Sequence, residues 1–214
     1  IEYFDYFMNQ KNSLGLNACF MDLDDPLELF KIWMTEAEKK EINDPNALSL
    51  ATVSKSNEPN VRMMLLKGIS PAGFVFYTNL NSPKSHDLKE NPKAAMCFHW
   101  KSFNRQIRIL GKVAQVDDGA ADLYFNSRSY ESKISAWASD QSKPMKQRSE
   151  LLKKIEDLNE KYKDEKNVPR PPHWSGWCLK PSSIEFWSHK DNRIHERLRY
   201  NKIANDWKKE ILYP

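Results

Sequence analysis

From Ala47 to Val116 strand signals follow one another so closely that hairpins fit between them and long crossover connections do not. Residues 47–54 and 61–67 flank the turn Ser56-Asn57-Glu58-Pro59-Asn60 and read as a hairpin. Residues 73–78, with Phe74 and Phe76 alternating, form a third strand, and 94–100 and 106–116 supply two more. Residues 82–90 read as a short helix closed by Asn91-Pro92. Residues 174–179, 184–188, 193–200 and 207–212 complete the strand set. The spacing therefore predicts a mainly β fold, an antiparallel barrel with helical decorations. With only 6 Gly and no GxGxxG or P-loop, a Rossmann or Walker nucleotide site has no support.

Three helices frame these strands. Asp25-Pro26-Leu27-Glu28 is a helix start, with Asp as N-cap and Pro at the first helical position. That helix should run to about Ile42 and bury Leu29, Ile32 and Trp33 before Asn43-Asp44-Pro45 stops it. Residues 117–137 are helical with a break possible at Ser127-Arg128-Ser129. Residues 145–164 are the clearest helix, with Leu151, Ile155, Leu158 and Tyr162 on one face. Val168-Pro169-Arg170-Pro171-Pro172 is a stiff extended connector.

Length and charge narrow the function classes. A chain of 214 residues fits one domain, here read as 25–214 preceded by a segment 1–24. Beginning at Ile1, the sequence is expected to lack a short N-terminal piece. No apolar run has the length of a membrane span, and no secretory leader opens the sequence. Cys19, Cys97 and Cys178 are scattered and odd in number, which argues against a disulfide framework and suggests a reducing cytoplasm. The five His show no metal-ligand spacing. Net charge is +4, too mild to imply nucleic acid. Its distribution is uneven: 17 Lys/Arg against 11 Asp/Glu from Lys143 onward give +6, leaving −2 for the first 142 residues. A basic C-terminal third suits an anionic ligand or a solvated surface.

The most informative stretch runs from Ile184 to Arg197. Strand alternation predicts Arg193, His195 and Arg197 on one face, and a short loop brings Trp187 beside them. Two guanidinium groups and an imidazole next to an indole suit a planar anionic ligand. On spacing alone, a solvated strand face is the commoner outcome. Tyr124, Arg128 and Ser132, spaced i, i+4, i+8, would gather a phenol, a guanidinium and a hydroxyl on one helix face. Those groups can donate several hydrogen bonds to one phosphate, though an exposed polar face is the more frequent fate of such a trio.

Glu185-Phe186-Trp187, a five-residue gap, then Arg193-x-His195-x-Arg197 resembles the C-terminal signature of the pyridoxine/pyridoxamine 5'-phosphate oxidase family. The similarity continues from Asp25 to Pro214. It implies an FMN-binding split barrel, a homodimer with flavin sites at the subunit interface, and FMN as cofactor. The implied reaction moves a hydride from C4' of a phosphorylated B6 vitamer to N5 of FMN, with dioxygen as acceptor and hydrogen peroxide as product. Arg62-Met63-Met64-Leu65-Leu66-Lys67 resembles a strand whose Arg62, Leu65 and Lys67 contact FMN, with Lys67 also reaching the substrate phosphate. In a plain strand Arg62 and Lys67 face opposite ways, so a bulge or a site shared between subunits is expected.

The segment 76–84 resembles a second flavin element carrying Tyr77, Thr78 and Lys84, with Pro83 where the family usually has Arg. Gln106, Gln141 and Ser142 fall in further segments that resemble flavin contacts, while Trp187 and Arg197 are implied on the flavin side. The resemblance also implies that Tyr124, Arg128 and Ser132 grip the 5'-phosphate with Lys67. Arg193 and His195 would be the catalytic pair covering the pyridine ring. The family's Arg-x-x-Tyr lid element has no match in residues 1–24, where Lys11 or Asn12 stands at the Tyr position. A related FMN oxidase of phenazine type, or a flavin- or pyridoxal-phosphate-binding relative with little turnover, is the alternative. Retention of the phosphate-binding set favours the B6 oxidase.

Overall fold

The computed structural model describes residues 11–163 and 168–214. Its centre is one antiparallel, nine-stranded sheet: β1 (Ala47–Val53), β2 (Pro59–Leu65), β3 (Gly68–Ser70), β4 (Gly73–Asn79), β5 (Lys93–Trp100), β6 (Arg105–Gln115), β7 (Trp174–Ser188), β8 (Glu196–Ile203) and β9 (Asp206–Ile211). The order is β2-β1-β5-β6-β7-β4-β3, and β8 pairs with both β7 and β9. The curled sheet and its helices agree with the split-barrel expectation.

One strand organises everything downstream. The two segments expected at 174–179 and 184–188 are a single 15-residue strand, β7. Pro181 looks like a break in sequence, but it lies where the β6–β7 register shifts beside Leu110 and Gly111, a place that tolerates a missing N–H. One edge of β7 pairs with β6 along its length. Its other edge is divided, with Trp174–Leu179 on β4 and Ser183–Ser188 on β8.

The concave face is filled by α1 (Pro26–Lys40), whose first turn is capped by the Asp25 carboxylate accepting from Leu27 N–H at 2.9 Å. Leu29, Phe30, Trp33, Met34 and Ala37 form its buried stripe. Ile32 was expected there but is 41% exposed, because it falls off the i, i+1, i+4, i+5, i+8 line. Phe30 meets Phe74 and Phe98 edge-on at 4.9 and 5.2 Å, and Trp33 meets Phe186 at 5.1 Å. Burying each such ring contributes about 1.5–3 kcal/mol, so these contacts fix the curvature of the sheet.

The remaining helices are α2 (Pro83–Glu90), α3 (Asp118–Asn126), α4 (Tyr130–Ala138) and α5 (Arg148–Lys161). The expected 117–137 helix is thus divided at Ser127–Ser129, where Ser129 caps α4 by accepting from Ser132 N–H. Ahead of α1, residues 11–24 lie against the C-terminal strands: the Tyr200 hydroxyl donates to Leu23 O at 2.9 Å, and Asn17 N–H to Glu196 at 3.2 Å. The first ten residues of the expected N-terminal segment are outside the described residues. No helix among the described residues is long and apolar enough to cross a membrane.

Candidate functional site

A cleft of about 470 Å³ opens at the Trp174 end of β7, bounded by β2, β4, α3 and α4. Its floor is aromatic. Tyr77 stacks on Tyr124 at 4.0 Å and 11° between planes, and on Trp174 at 5.3 Å and 8°. The stack is possible because Gly176 stands opposite Tyr77 on β7. A Cβ there would come within 2.7 Å of the Tyr77 ring. Arg128 lies over Trp174 at 4.9 Å, and its Nη1, shielded from solvent, has no hydrogen-bond partner among the described residues. Burial pulls the Arg128 pKa below its ordinary value, with the Tyr124 phenol acting the other way. Lys67 and Leu65 complete this wall.

Thr78 and Gln141 join the cleft to a second cation. Lys84 Nζ donates to Thr78 Oγ1, Ser82 Oγ and Gln141 Oε1 at 3.1, 3.1 and 3.0 Å, with no carboxylate among its hydrogen-bond partners. Burial, aided by the nearby Arg62 charge, lowers its pKa to about 8. Arg62 itself faces the opposite side of β2 from Met63 and Leu65. It donates to Leu50 O and Thr52 Oγ1 and stands 4.0 Å from Asp87. The opposed orientation of Arg62 and Lys67 is therefore real, and β2 ends at Leu65 before Lys67 is reached. Ser142 follows Gln141 in a left-handed turn, φ 69°, and is exposed.

Three expectations are thereby sorted. Tyr124 and Arg128 converge, but as a helix residue and a linker residue, since α3 ends at Asn126. Ser132 is not on a shared helix face with them; it sits in the first turn of α4, its hydroxyl accepting from Ser129 at 3.0 Å. Trp174, which stacks on Tyr77 and lies under Arg128, carried no expectation as a site residue. Its position two residues after Pro171-Pro172 is the available signal, an aromatic fixed where a stiff connector enters a strand.

The other end of β7 carries the second group. Cross-strand register places Gln106, Trp187 and Arg197 in one row on β6, β7 and β8. The predicted strand face of Arg193, His195 and Arg197 is corrected: β8 begins only at Glu196. Asn192 and Arg193 both take positive φ, 55° and 62°, which no extended strand accommodates. The loop folds His195 back over Trp187 at 4.8 Å, while Lys190 N–H donates to its Nδ1 at 3.2 Å. Nδ1 is thus the acceptor and Nε2 the free edge. Arg193 is exposed at the loop tip.

Trp174 and Trp187 stand 13 residues apart, on the order of 40 Å of strand contour at about 3.3 Å per residue. The two groups therefore lie at opposite ends of β7.

The sequence pattern of pyridoxamine 5'-phosphate oxidase matches residues 34–162, and that of the pyridoxine 5'-phosphate oxidase C-terminal dimerisation region matches 174–214. A pyridoxine/pyridoxamine 5'-phosphate oxidase of Pelagibacter ubique is 58% identical over 208 residues, covering 97% of this chain and 100% of the relative. One from Sphingopyxis alaskensis is 50% identical, covering 89% and 88%. Among solved structures, PhzG from Burkholderia lata 383, in complex with tetrahydrophenazine-1-carboxylic acid, superposes with a TM-score of 0.87 at 28% identity, covering 96% of this chain and 100% of that one.

Proposed function

Because this chain belongs to the pyridoxine/pyridoxamine 5'-phosphate oxidase family of oxidoreductases, we propose that it oxidises pyridoxine or pyridoxamine 5'-phosphate to pyridoxal 5'-phosphate using FMN. When bound, FMN supplies the hydride-accepting ring, with dioxygen as the final acceptor and hydrogen peroxide as co-product. The observation that carries this reading is the cleft around Arg128. A buried guanidinium N–H without a partner, beside Tyr124 and Lys67, is a ready receptor for a phosphate dianion. Ser132, at the start of α4, is assigned to the same grip.

The remaining residues fit a flavin. Lys84 is a buried ammonium held only by neutral oxygens, which suits the phosphate of the cofactor, and Arg62 adds charge from behind. Tyr77, Thr78 and Gln141 line the same cleft, and Leu65, Lys67 and Ser142 border it. Gln106, Trp187 and Arg197 offer an indole and donors to a ring edge, while Arg193 and His195 cover the pyridine and position C4' for transfer. The two half-sites meet when a second copy brings its signature row to this chain's cleft, which agrees with a homodimer built through the C-terminal region. Residues 11–24 we assign as a cover beside the signature loop, since Asn17 is tied to Glu196 next to His195; the first ten residues of the expected lid segment lie outside the described residues. Three free cysteines suit a reducing, cytoplasmic setting.

The test is FMN titration followed by peroxide release on adding pyridoxine 5'-phosphate, pyridoxamine 5'-phosphate or phosphate-free pyridoxine. Flavin binding with peroxide from the phosphorylated vitamers alone is expected. Failure to take up FMN would refute the flavoenzyme reading; binding without peroxide would leave a vitamer- or flavin-binding relative.

A further inference from the structure

A carboxylate buried within the signature strand is unexplained by the reaction. Glu185 is 7% exposed, between the fully buried Ile184 and Phe186. Packing alone does not require a charge there, and a buried carboxylate persists only when paired. Both its oxygens are engaged. Oε1 accepts from Nε and Nη2 of Arg197 at 3.0 and 2.8 Å, and Oε2 from Arg108 Nη1 at 3.3 Å.

This pairing runs against simple register. Directly across from Glu185 stand Arg108 and Arg199, whereas Arg197 stands across from Trp187. Arg199 is drawn off by Glu210 at 2.8 Å, leaving Glu185 to reach diagonally to Arg197. On its far side Arg197 donates through Nη1 to Tyr213 O at 2.9 Å. Three of the five N–H groups of this guanidinium are thereby fixed, and two stay available.

We propose that Glu185 is a positioning residue for the flavin side of the site. It holds the Arg197 guanidinium in one orientation beside Trp187, so that the two remaining N–H groups are presented to a ring carbonyl or ring nitrogen of the flavin seated in the partner's cleft. Arg108 occupies the second carboxylate oxygen. The inference rests on the reading of Arg197 as a flavin contact.

The experiment is a double-mutant cycle of Glu185→Gln and Arg197→Ala, read by quenching of FMN fluorescence on binding and by the absorption band of the bound flavin. Thermal melts run alongside. With Arg197 present, Glu185→Gln should weaken FMN binding about tenfold, the loss expected for a charge-assisted bond, and move the flavin band. With Arg197→Ala, the same change should add less than twofold. Glu185→Asp keeps the charge but shortens the reach, and should give an intermediate loss if the Gln variant does not fold. An equal loss of flavin affinity in both backgrounds, or unchanged affinity and spectrum in Glu185→Gln and Glu185→Asp, would overturn the proposal. Should Arg197→Ala itself leave FMN binding intact, the underlying assignment of Arg197 fails and the proposal with it.

Discussion

The cleft at Trp174 and the row at Trp187 share one strand yet are assembled by different means. In the cleft, cations sit among aromatic rings and neutral oxygens, and Arg128 Nη1 has no acceptor among the described residues. In the row, the cation is already held on one side: Arg197 is fixed by Glu185 and by the Tyr213 carbonyl. A group left wanting an acceptor suits recognition of a dianion, since the ligand supplies what the protein withholds. A group tied down on one side suits orientation, since little entropy is left to lose on binding. The contrast assigns charge recognition to one end of β7 and ring orientation to the other.

The strongest break of that comparison is complementation between subunits. Arg128→Ala damages only the cleft and Arg193→Leu only the signature loop, and each homodimer should lose about a hundredfold in peroxide release, the upper range for a charged contact. Dimers formed from both variants would contain one doubly damaged and one intact site. Mixing by co-expression should restore roughly a quarter of wild-type activity. Recovery no greater than the sum of the two parents would mean that each chain completes its own site, and the half-site description would fall.

How far the sequence revealed this arrangement depends on the range of the interaction involved. The Asp25 cap and the division at Ser127–Ser129 are local, and both are visible in the residues themselves. The three-residue β3 is too short to leave a periodic signal. Arg193 misled because a non-glycine residue at positive φ leaves no mark in composition. Glu185 has no role in the motif as read from sequence, although a carboxylate flanked by Ile184 and Phe186 is itself a hint of buried pairing. The distance between the half-sites was illegible for another reason. It depends on β7 being one strand, and Lys180-Pro181 reads as an interruption until the bulge at Ser182, opposite Leu110 and Gly111, is seen.

A smaller effect sharpens the role of Lys84. Burial brings its ammonium to a pKa of about 8, with Arg62 adding repulsion and Thr78, Ser82 and Gln141 supplying its hydrogen-bond acceptors among the described residues. A phosphate binds the charged form, so affinity for FMN should be level below pH 8 and fall above it, by at most about tenfold per unit. Riboflavin, which lacks the phosphate, should show no such slope, and Lys84→Met should flatten the FMN profile. The same group makes the flavin-free protein gain stability as pH rises from about 8, because the unfolded chain then binds the extra proton. The Cys19 thiol, pushed up to about 11 by burial, and the Cys97 and Cys178 thiols, also raised by burial, act in the opposite sense as pH approaches and passes 9, so melts of wild type against Lys84→Met isolate the Lys84 effect. A level FMN profile in the wild-type protein would remove Lys84 from the phosphate site.

The smallest change concerns Tyr124, which belongs to the cleft in two ways: its ring completes the stack on Tyr77, and its hydroxyl is our proposed donor to the substrate phosphate alongside Arg128. Tyr124→Phe separates them, keeping the ring and removing one neutral donor. A neutral hydrogen bond is worth about 0.5–1.5 kcal/mol, so KM for pyridoxine 5'-phosphate should rise roughly two- to tenfold with kcat nearly unchanged. Tyr124→Leu, which also removes a stacked ring, should in addition disturb Tyr77 and Trp174 and lower FMN affinity. If Tyr124→Phe instead reduced kcat at constant KM, the hydroxyl would act during transfer rather than in phosphate binding. The cleft would then share the orienting role assigned here to the far end of β7.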